Sequence, residues 1–349
     1  MPIIEGEFRR ILVRATNWVG DAVMSLPALQ ALRERFPEAH IAVLARPWVA
    51  DVYERESFAN EVISYTLPRG RKDLAGKWRF AQDLRRRSFD TAILLPNAFE
   101  AAALVWLAGI PKRIGYARDG RGFLLTTAVK RPASGEIPRH ERFYYLELLR
   151  RAGIIDTLPA SDQIRLGGAA AAREAGLAKL AALGLHDVTG VSPGAAFGTA
   201  KRWLPERFAE SVEQLGHAAA LFGSKDEREL CESIANDLRS RGIPVYNFAG
   251  ETTLSEYIEL AAACRVYLTN DSGSMHIASA LHVPTIAVFG ATDHVGTGPT
   301  GPLARVVREQ VECSPCLLRE CPIDHRCMTA VTAGRVVREA NELTLLSQR

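Results

Sequence analysis

Several things are missing from this chain of 349 residues, and each absence narrows its function. No stretch approaches the ~20 apolar residues of a membrane span. The most apolar segment, residues 98–110, is short and contains Glu100. Residues 1–7 have no basic run and no long apolar run, which predicts no secretory leader and a cytoplasmic protein that at most touches a membrane surface. Charge of one sign is scarce as well. Lysine and arginine number 43 against 40 acids, a formal net charge of +3, too weak to argue for a nucleic-acid partner. The loop after the first apolar run lacks G-x-G-x-x-G, which argues against a nicotinamide cofactor in that half, and the matching loop of the second half lacks the G-K-[ST] ending of a P-loop.

Cysteine is sparse, with six in all. Cys231 and Cys264 are isolated and read as buried filler. Cys313, Cys316, Cys321 and Cys327 cluster near His325. Four thiolates suit zinc, but the spacing lacks the usual pair of C-x2-C knuckles, so no metal site is expected.

What is present is ordinary globular material, 47% apolar and 24% charged, enough for two cores. Short apolar runs alternate with helical patterns throughout. In the first half they fall at residues 10–15, 41–45, 62–65, 91–95 and 113–116, with helices over 21–36 and 141–153. Pro27 inside the first helical pattern predicts a kink or a late start. After an alanine-rich helix over 169–183, further strands are expected at 188–192, 218–222, 245–248, 266–269, 285–289 and 305–307, and a last helix at 332–346. Such alternation implies parallel sheets covered on both faces, so the fold class is α/β with two doubly wound domains. Ligands of such domains sit at the C-terminal ends of strands.

The strand ends hold the candidate chemistry. Asp271, Ser272 and Gly273 follow an apolar strand and open a helix, with His276 one turn further on. A helix N-terminus leaves N–H groups unpaired and favours phosphate. The bland alternative is a capped turn and a core histidine. Gly290 to Asp293 is a second such turn. Ser192 to Trp203 carries Gly194, Gly198, Thr199 and Lys201, which suit a diphosphate; otherwise Lys201 is a solvated loop lysine. Asp226 and Glu227 open another helix and suit ribose hydroxyls or, more simply, the helix dipole. In the first half, Asn17, Trp18, Gly20 and Asp21 join a strand to a helix, where Asp21 either does chemistry or only caps. Basic residues Arg69, Arg71, Lys72, Lys112, Arg113, Arg118 and Arg121 form either a solvated face or contacts to an anionic acceptor.

In combination these residues resemble the ADP-heptose:lipopolysaccharide heptosyltransferases, heptosyltransferase II branch. The signals are Val19-Gly20-Asp21 with Leu26-Pro27-Ala28-Leu29, Pro193-Gly194-Ala195 with Lys201-Arg202-Trp203, Asn270-Asp271-Ser272-Gly273 with Met275-His276, and Cys313 to Met328. Ser274 stands where the branch often has leucine. The resemblance implies a GT-B fold, two Rossmann-like domains facing across a cleft. Residues 1–165 would bind the acceptor and 166–331 the nucleotide sugar, with 332–349 returning to the first domain. It implies inverting transfer of L-glycero-D-manno-heptose from ADP-heptose to the first heptose of the lipopolysaccharide inner core, at the cytoplasmic face of the inner membrane, with no cofactor needed for the chemistry. Asp21 would be the general base and Lys201 the diphosphate ligand. Gly194, Thr199, Asp271, Ser272, Gly273 and His276 would hold the donor, and Asp226 or Glu227 the ribose. Asn17, Trp18, Arg69, Arg71, Lys72 and Arg121 would meet the acceptor. A heptosyltransferase with another acceptor, a sugar-nucleotide epimerase and a silent nucleotide-sugar binder are the competing readings.

Overall fold

A computed structural model describes residues 8–67, 72–159 and 163–348. The chain divides into two compact units, Met1–Ser161 and Asp162–Arg349. Each contains one six-stranded sheet, parallel throughout.

In the first unit the strands are β1 (Arg10–Arg14), β2 (His40–Ala45), β3 (Glu61–Ser64), β4 (Thr91–Leu94), β5 (Lys112–Tyr116) and β6 (Thr127–Val129), in the order β3-β2-β1-β4-β5-β6. In the second they are β7 (Val188–Ser192), β8 (Ala218–Leu221), β9 (Val245–Asn247), β10 (Val266–Asn270), β11 (Thr285–Val288) and β12 (Ala304–Val307), in the order β12-β11-β10-β7-β8-β9. Both are the 3-2-1-4-5-6 order of a dinucleotide-binding fold, so the direction of winding reverses between β1 and β4 and again between β7 and β10. Every residue of β4, β7, β10 and β11 is buried, which is why these strands read as apolar runs rather than as alternation.

Some helices begin where a side chain satisfies their first N–H groups. Thr253 and Glu256 form a capping box before Leu254–Ala262, and Thr332 accepts from Arg335 N before Ala333–Ser347. The helix Val19–Arg35 starts early and runs through Pro27. Only the carbonyl one turn back loses a partner there.

Several elements escape the sequence reading, among them β6, the helix Pro47–Glu54, the helix Leu74–Arg86, which read only as a basic segment, and the helix Phe99–Leu107. The last is so apolar that no polar face marks its period. The domain boundaries also move. Ile164 N bonds Thr300 Oγ1 at 3.0 Å and Leu166 N bonds Ala280 O at 3.0 Å, so the chain already belongs to the second unit before residue 166. Residues 332–349, expected to return to the first domain, fall in the second unit. The helix Ala333–Ser347 puts Val336, Ala340 and Leu343 into the same core as Trp203, Phe208 and Val288.

Candidate active site

In the second unit the winding reversal separates the loop after β7 from the turn after β10, and two of its side chains close the gap. Asp271, only 6% exposed, accepts from Lys201 Nζ at 2.5 Å and from Thr292 Oγ1 at 2.5 Å, both through Oδ2. One carboxylate thus gathers the ends of the loops that follow β7, β10 and β11. Asn270 fixes the backbone beneath it, donating to Pro193 O at 2.7 Å and accepting from Trp203 N at 2.9 Å. Trp203 is buried and its indole donates to Val331 O at 3.1 Å, so Lys201 is tethered two residues before a rigid anchor.

Ser272 is the N-cap of the helix Gly273–Ala280, with extended backbone and no capping bond from its own side chain to the N–H groups of the first turn. His276 is 5% exposed, the burial of a core histidine. Thr199 and Lys201 lie in a single 3-10 turn.

Glu227 and Asp226 are separated by geometry. Glu227 Oε2 accepts from Ser224 N and Oγ at 2.8 and 3.0 Å, a capping box that locks the carboxylate against Gly194. A Cβ on Gly194 would stand 1.9 Å from Glu227 Oε1. Glu227 therefore faces the loop after β7, while Asp226 is exposed to solvent.

The cysteine segment backs these loops. Arg319 O accepts from Ala200 N at 3.0 Å, and His325 Nε2 donates to Ala200 O at 3.0 Å. Ser314 Oγ bonds Gly290 O at 2.6 Å and Leu317 N bonds Ala291 O at 2.7 Å. A Cβ on Gly198 would meet Arg319 O at 2.2 Å. Among the described residues no three histidine, cysteine or acidic side chains are placed to hold a metal ion. Burial pushes the Cys327 thiol up to about 11, with the charges of the other three cysteines adding to it. Nothing in the sequence announced this bracing role.

In the first unit Asp21 lies in the first turn of Val19–Arg35, but Trp18 is the N-cap. The capping alternative therefore fails, and no hydrogen bond to the Asp21 carboxylate is made among the described residues. Burial pushes its pKa up to about 6, against the pull of the helix N-terminus. Its surroundings include the buried Tyr53 and Tyr145 and the carboxyl of Glu141, each raised first by burial and further by the charge of Asp21. Asn17, just before it, accepts from Arg14 Nη2 at 2.8 Å through its side chain and from Trp48 Nε1 at 2.8 Å through its carbonyl. Trp18 is exposed.

The basic residues divide. Arg69 and Arg71 lie outside the described residues, and Lys72 is exposed. Arg121 corrects the sequence reading: it is 0% exposed and donates to the carbonyls of Tyr116, Pro96 and Ala98, pinning the chain after β4 to that after β5. Burial lowers its pKa to about 10. A guanidinium so spent on backbone has no face left for an acceptor.

Two Rossmann-ordered sheets, with a lysine–carboxylate pair at the winding reversal of the second, are the frame of a nucleotide-binding α/β protein. Residues 77–326 match the family described as glycosyltransferase family 9 (heptosyltransferase). The chain is 32% identical to lipopolysaccharide heptosyltransferase 2 of Escherichia coli K12 over 345 residues, 96% of this chain and 99% of that one. It is 33% identical to lipooligosaccharide heptosyltransferase 2 of Haemophilus influenzae over 317 residues, 85% of this chain and 88% of its relative. The solved structure of Escherichia coli ADP-heptose LPS heptosyltransferase II superposes with a TM-score of 0.82 at 30% identity, covering 97% of this chain and 100% of that one. The chain belongs to glycosyltransferase family 9, the heptosyltransferases.

Proposed function

We propose that this protein moves L-glycero-D-manno-heptose from ADP-heptose to the first heptose of the lipopolysaccharide inner core, with inversion at the anomeric carbon. The observation that carries the reading is the meeting of Lys201, Asp271 and Thr292 at the winding reversal of the second sheet, in a chain of this family. A departing ADP gathers negative charge on its diphosphate. Lys201 and the N–H groups ahead of Gly273–Ala280 stabilise that charge without reorganising, each donor supplying a few kcal/mol. Asp271 orients Lys201, Gly194 leaves room for the Glu227 carboxylate, Thr199 offers its hydroxyl to the phosphates, and Glu227 Oε1 takes the ribose hydroxyls.

Asp21 is the general base. Its carboxylate removes the acceptor hydroxyl proton as that oxygen bonds to the anomeric carbon. The bond from that carbon to the phosphate oxygen breaks, and its electron pair leaves with ADP. A base with a pKa of about 6 is largely ionised at neutral pH yet holds the proton better than an ordinary aspartate. The chemistry needs no metal and no cofactor. No helix among the described residues is long and apolar enough to cross a membrane. On this reading the membrane that carries the acceptor is met at its cytoplasmic surface.

The test is incubation with ADP-heptose and a defined inner-core acceptor ending in one heptose. A mass gain of one heptose, lost in Asp21→Ala while ADP-heptose binding persists, supports the reading. Conversion of ADP-heptose to an epimer without acceptor, or release of ADP that ignores the acceptor, would overturn it.

A further inference from the structure

The first unit buries two positive charges that its own acids do not balance. Arg14, the last residue of β1, is 4% exposed, and Arg46, just after β2, is 6% exposed. Both line a cavity of about 400 Å³ together with Asn17, Trp18, Tyr65 and Lys77. Their guanidiniums pack against the same Tyr65 ring, at 5.1 and 4.3 Å from its centre. Arg14 donates to Ala15 O and to Asn17 Oδ1, and Arg46 donates to Leu67 O. The Nε of each is buried without a hydrogen-bond partner. Glu100 also lines the cavity, but it pairs with Lys77 at 2.8 Å; among the described residues neither arginine has a carboxylate within ion-pair distance.

Physically this arrangement is incomplete. Burying an ion costs several kcal/mol unless a counter-charge repays it. Burial lowers the Arg14 pKa and the neighbouring Arg46 lowers it further, with Glu100 across the cavity only partly opposing them. Carbonyl acceptors satisfy some N–H groups but carry no full charge. Two guanidiniums converging on one cavity form a fork suited to a tetrahedral or planar anion.

We propose that this cavity is an anion site in which Arg14 and Arg46 hold a phosphate or carboxylate group. Its volume exceeds that of a lone phosphate and falls within the ~300–1,000 Å³ of small-molecule sites, so the anion arrives as a substituent on a larger molecule. The chain from Arg14 passes through Asn17 and Trp18, both on the cavity wall, and reaches Asp21 within seven residues of sequence. An anionic group held here sets which hydroxyl of its carrier approaches the base. Naming that carrier as the inner-core acceptor, whose sugars bear phosphate and carboxylate, rests on the function proposed above; the anion site does not. Arg14 and Arg46 are positioning residues.

Thermal unfolding of the full chain is followed with and without inorganic phosphate, for wild type and for Arg14→Gln/Arg46→Gln. Phosphate is expected to raise the wild-type midpoint and leave the double variant unmoved. The variant's own midpoint is not expected to fall, since it loses an uncompensated charge; a large fall with no phosphate effect on wild type would make the arginines structural and overturn the proposal. In the transfer assay the double variant is expected to raise the acceptor KM by ~10–100-fold, the range of a lost charge-assisted contact, and to leave the ADP-heptose KM unchanged. An acceptor stripped of phosphate, compared with one that keeps its phosphates, separates carboxylate from phosphate as the group held. Arginine-dependent phosphate protection in a protein that transfers no heptose would keep the anion site and reject the acceptor as its carrier. An unchanged acceptor KM with no phosphate protection would overturn both.

Discussion

Asp21 carries a stability cost that its proposed role requires, and the cost can be measured. Burial lifts its pKa from the ordinary carboxylate range to about 6. Between ~4 and about 6 the folded chain keeps a proton that the unfolded chain has released, so stability falls as pH rises through that window. Above it the penalty is complete, at up to ~3 kcal/mol for roughly two pKa units at ~1.4 kcal/mol each. Asp21→Asn keeps the shape and removes the charge. Its unfolding midpoint at pH 7.5 should exceed wild type by several degrees, at about 2–4 °C per kcal/mol for a unit of this size. At pH 4 most of the gap should close, because the wild-type carboxyl is then protonated in the folded state and about half protonated in the unfolded one. The same variant should lose ~10²–10⁴-fold in transfer rate. Differential scanning fluorimetry at the two pH values, beside an ADP-release assay, reads both effects. In wild type, kcat/KM should drop about tenfold per pH unit below about 6. An Asn variant no more stable than wild type at pH 7.5, or an acid limb that breaks near 4, would refute the reasoning.

Three further outcomes follow from the donor side. Lys201→Ala should cost ~10²–10³-fold in kcat/KM, the scale of one removed donor to a developing anion, measured by initial rates at varied ADP-heptose. Gly194→Ala should raise the ADP-heptose KM by displacing Glu227, whereas Asp226→Ala should leave it unchanged; isothermal titration with ADP separates the two. Treatment with a strong chelator, followed by the same rate assay, should leave transfer undiminished.

Much of the fold was legible because parallel strands buried on both faces write themselves as apolar runs. β7, β10 and β11 were placed within a residue or two. The helix Phe99–Leu107 was hidden by the same property, having no polar face to give its period. At the site, the residues of the candidate turns could be named from their place after strands, but their partnership could not. Lys201 and Asp271 are seventy residues apart and meet only because β10 pairs with β7. That Glu227 and not Asp226 closes a capping box with Ser224 could not be read from two adjacent acids. Arginine was misjudged in both directions. Arg121 looked like a surface cation and is consumed by carbonyls, while Arg14 looked like the end of a strand and lines a cavity. Charged residues favour the surface, and the sequence did not show that the fold buries these two.

The segment that holds the four clustered cysteines changes when the donor loops lose their freedom. A loop that is mobile until its ligand arrives must be frozen by that ligand, at ~1–2 kcal/mol of lost entropy per residue fixed. Here Arg319 and Leu317 through their backbone, and Ser314 and His325 through their side chains, already hold the backbone of Ala200, Gly290 and Ala291 by hydrogen bonds made during folding. The entropy is therefore lost once, when the chain is made, and not at every turnover. A deletion within residues 313–325 would leave every proposed donor contact in the sequence and still weaken the nucleotide, because each binding event would then have to order the loops anew.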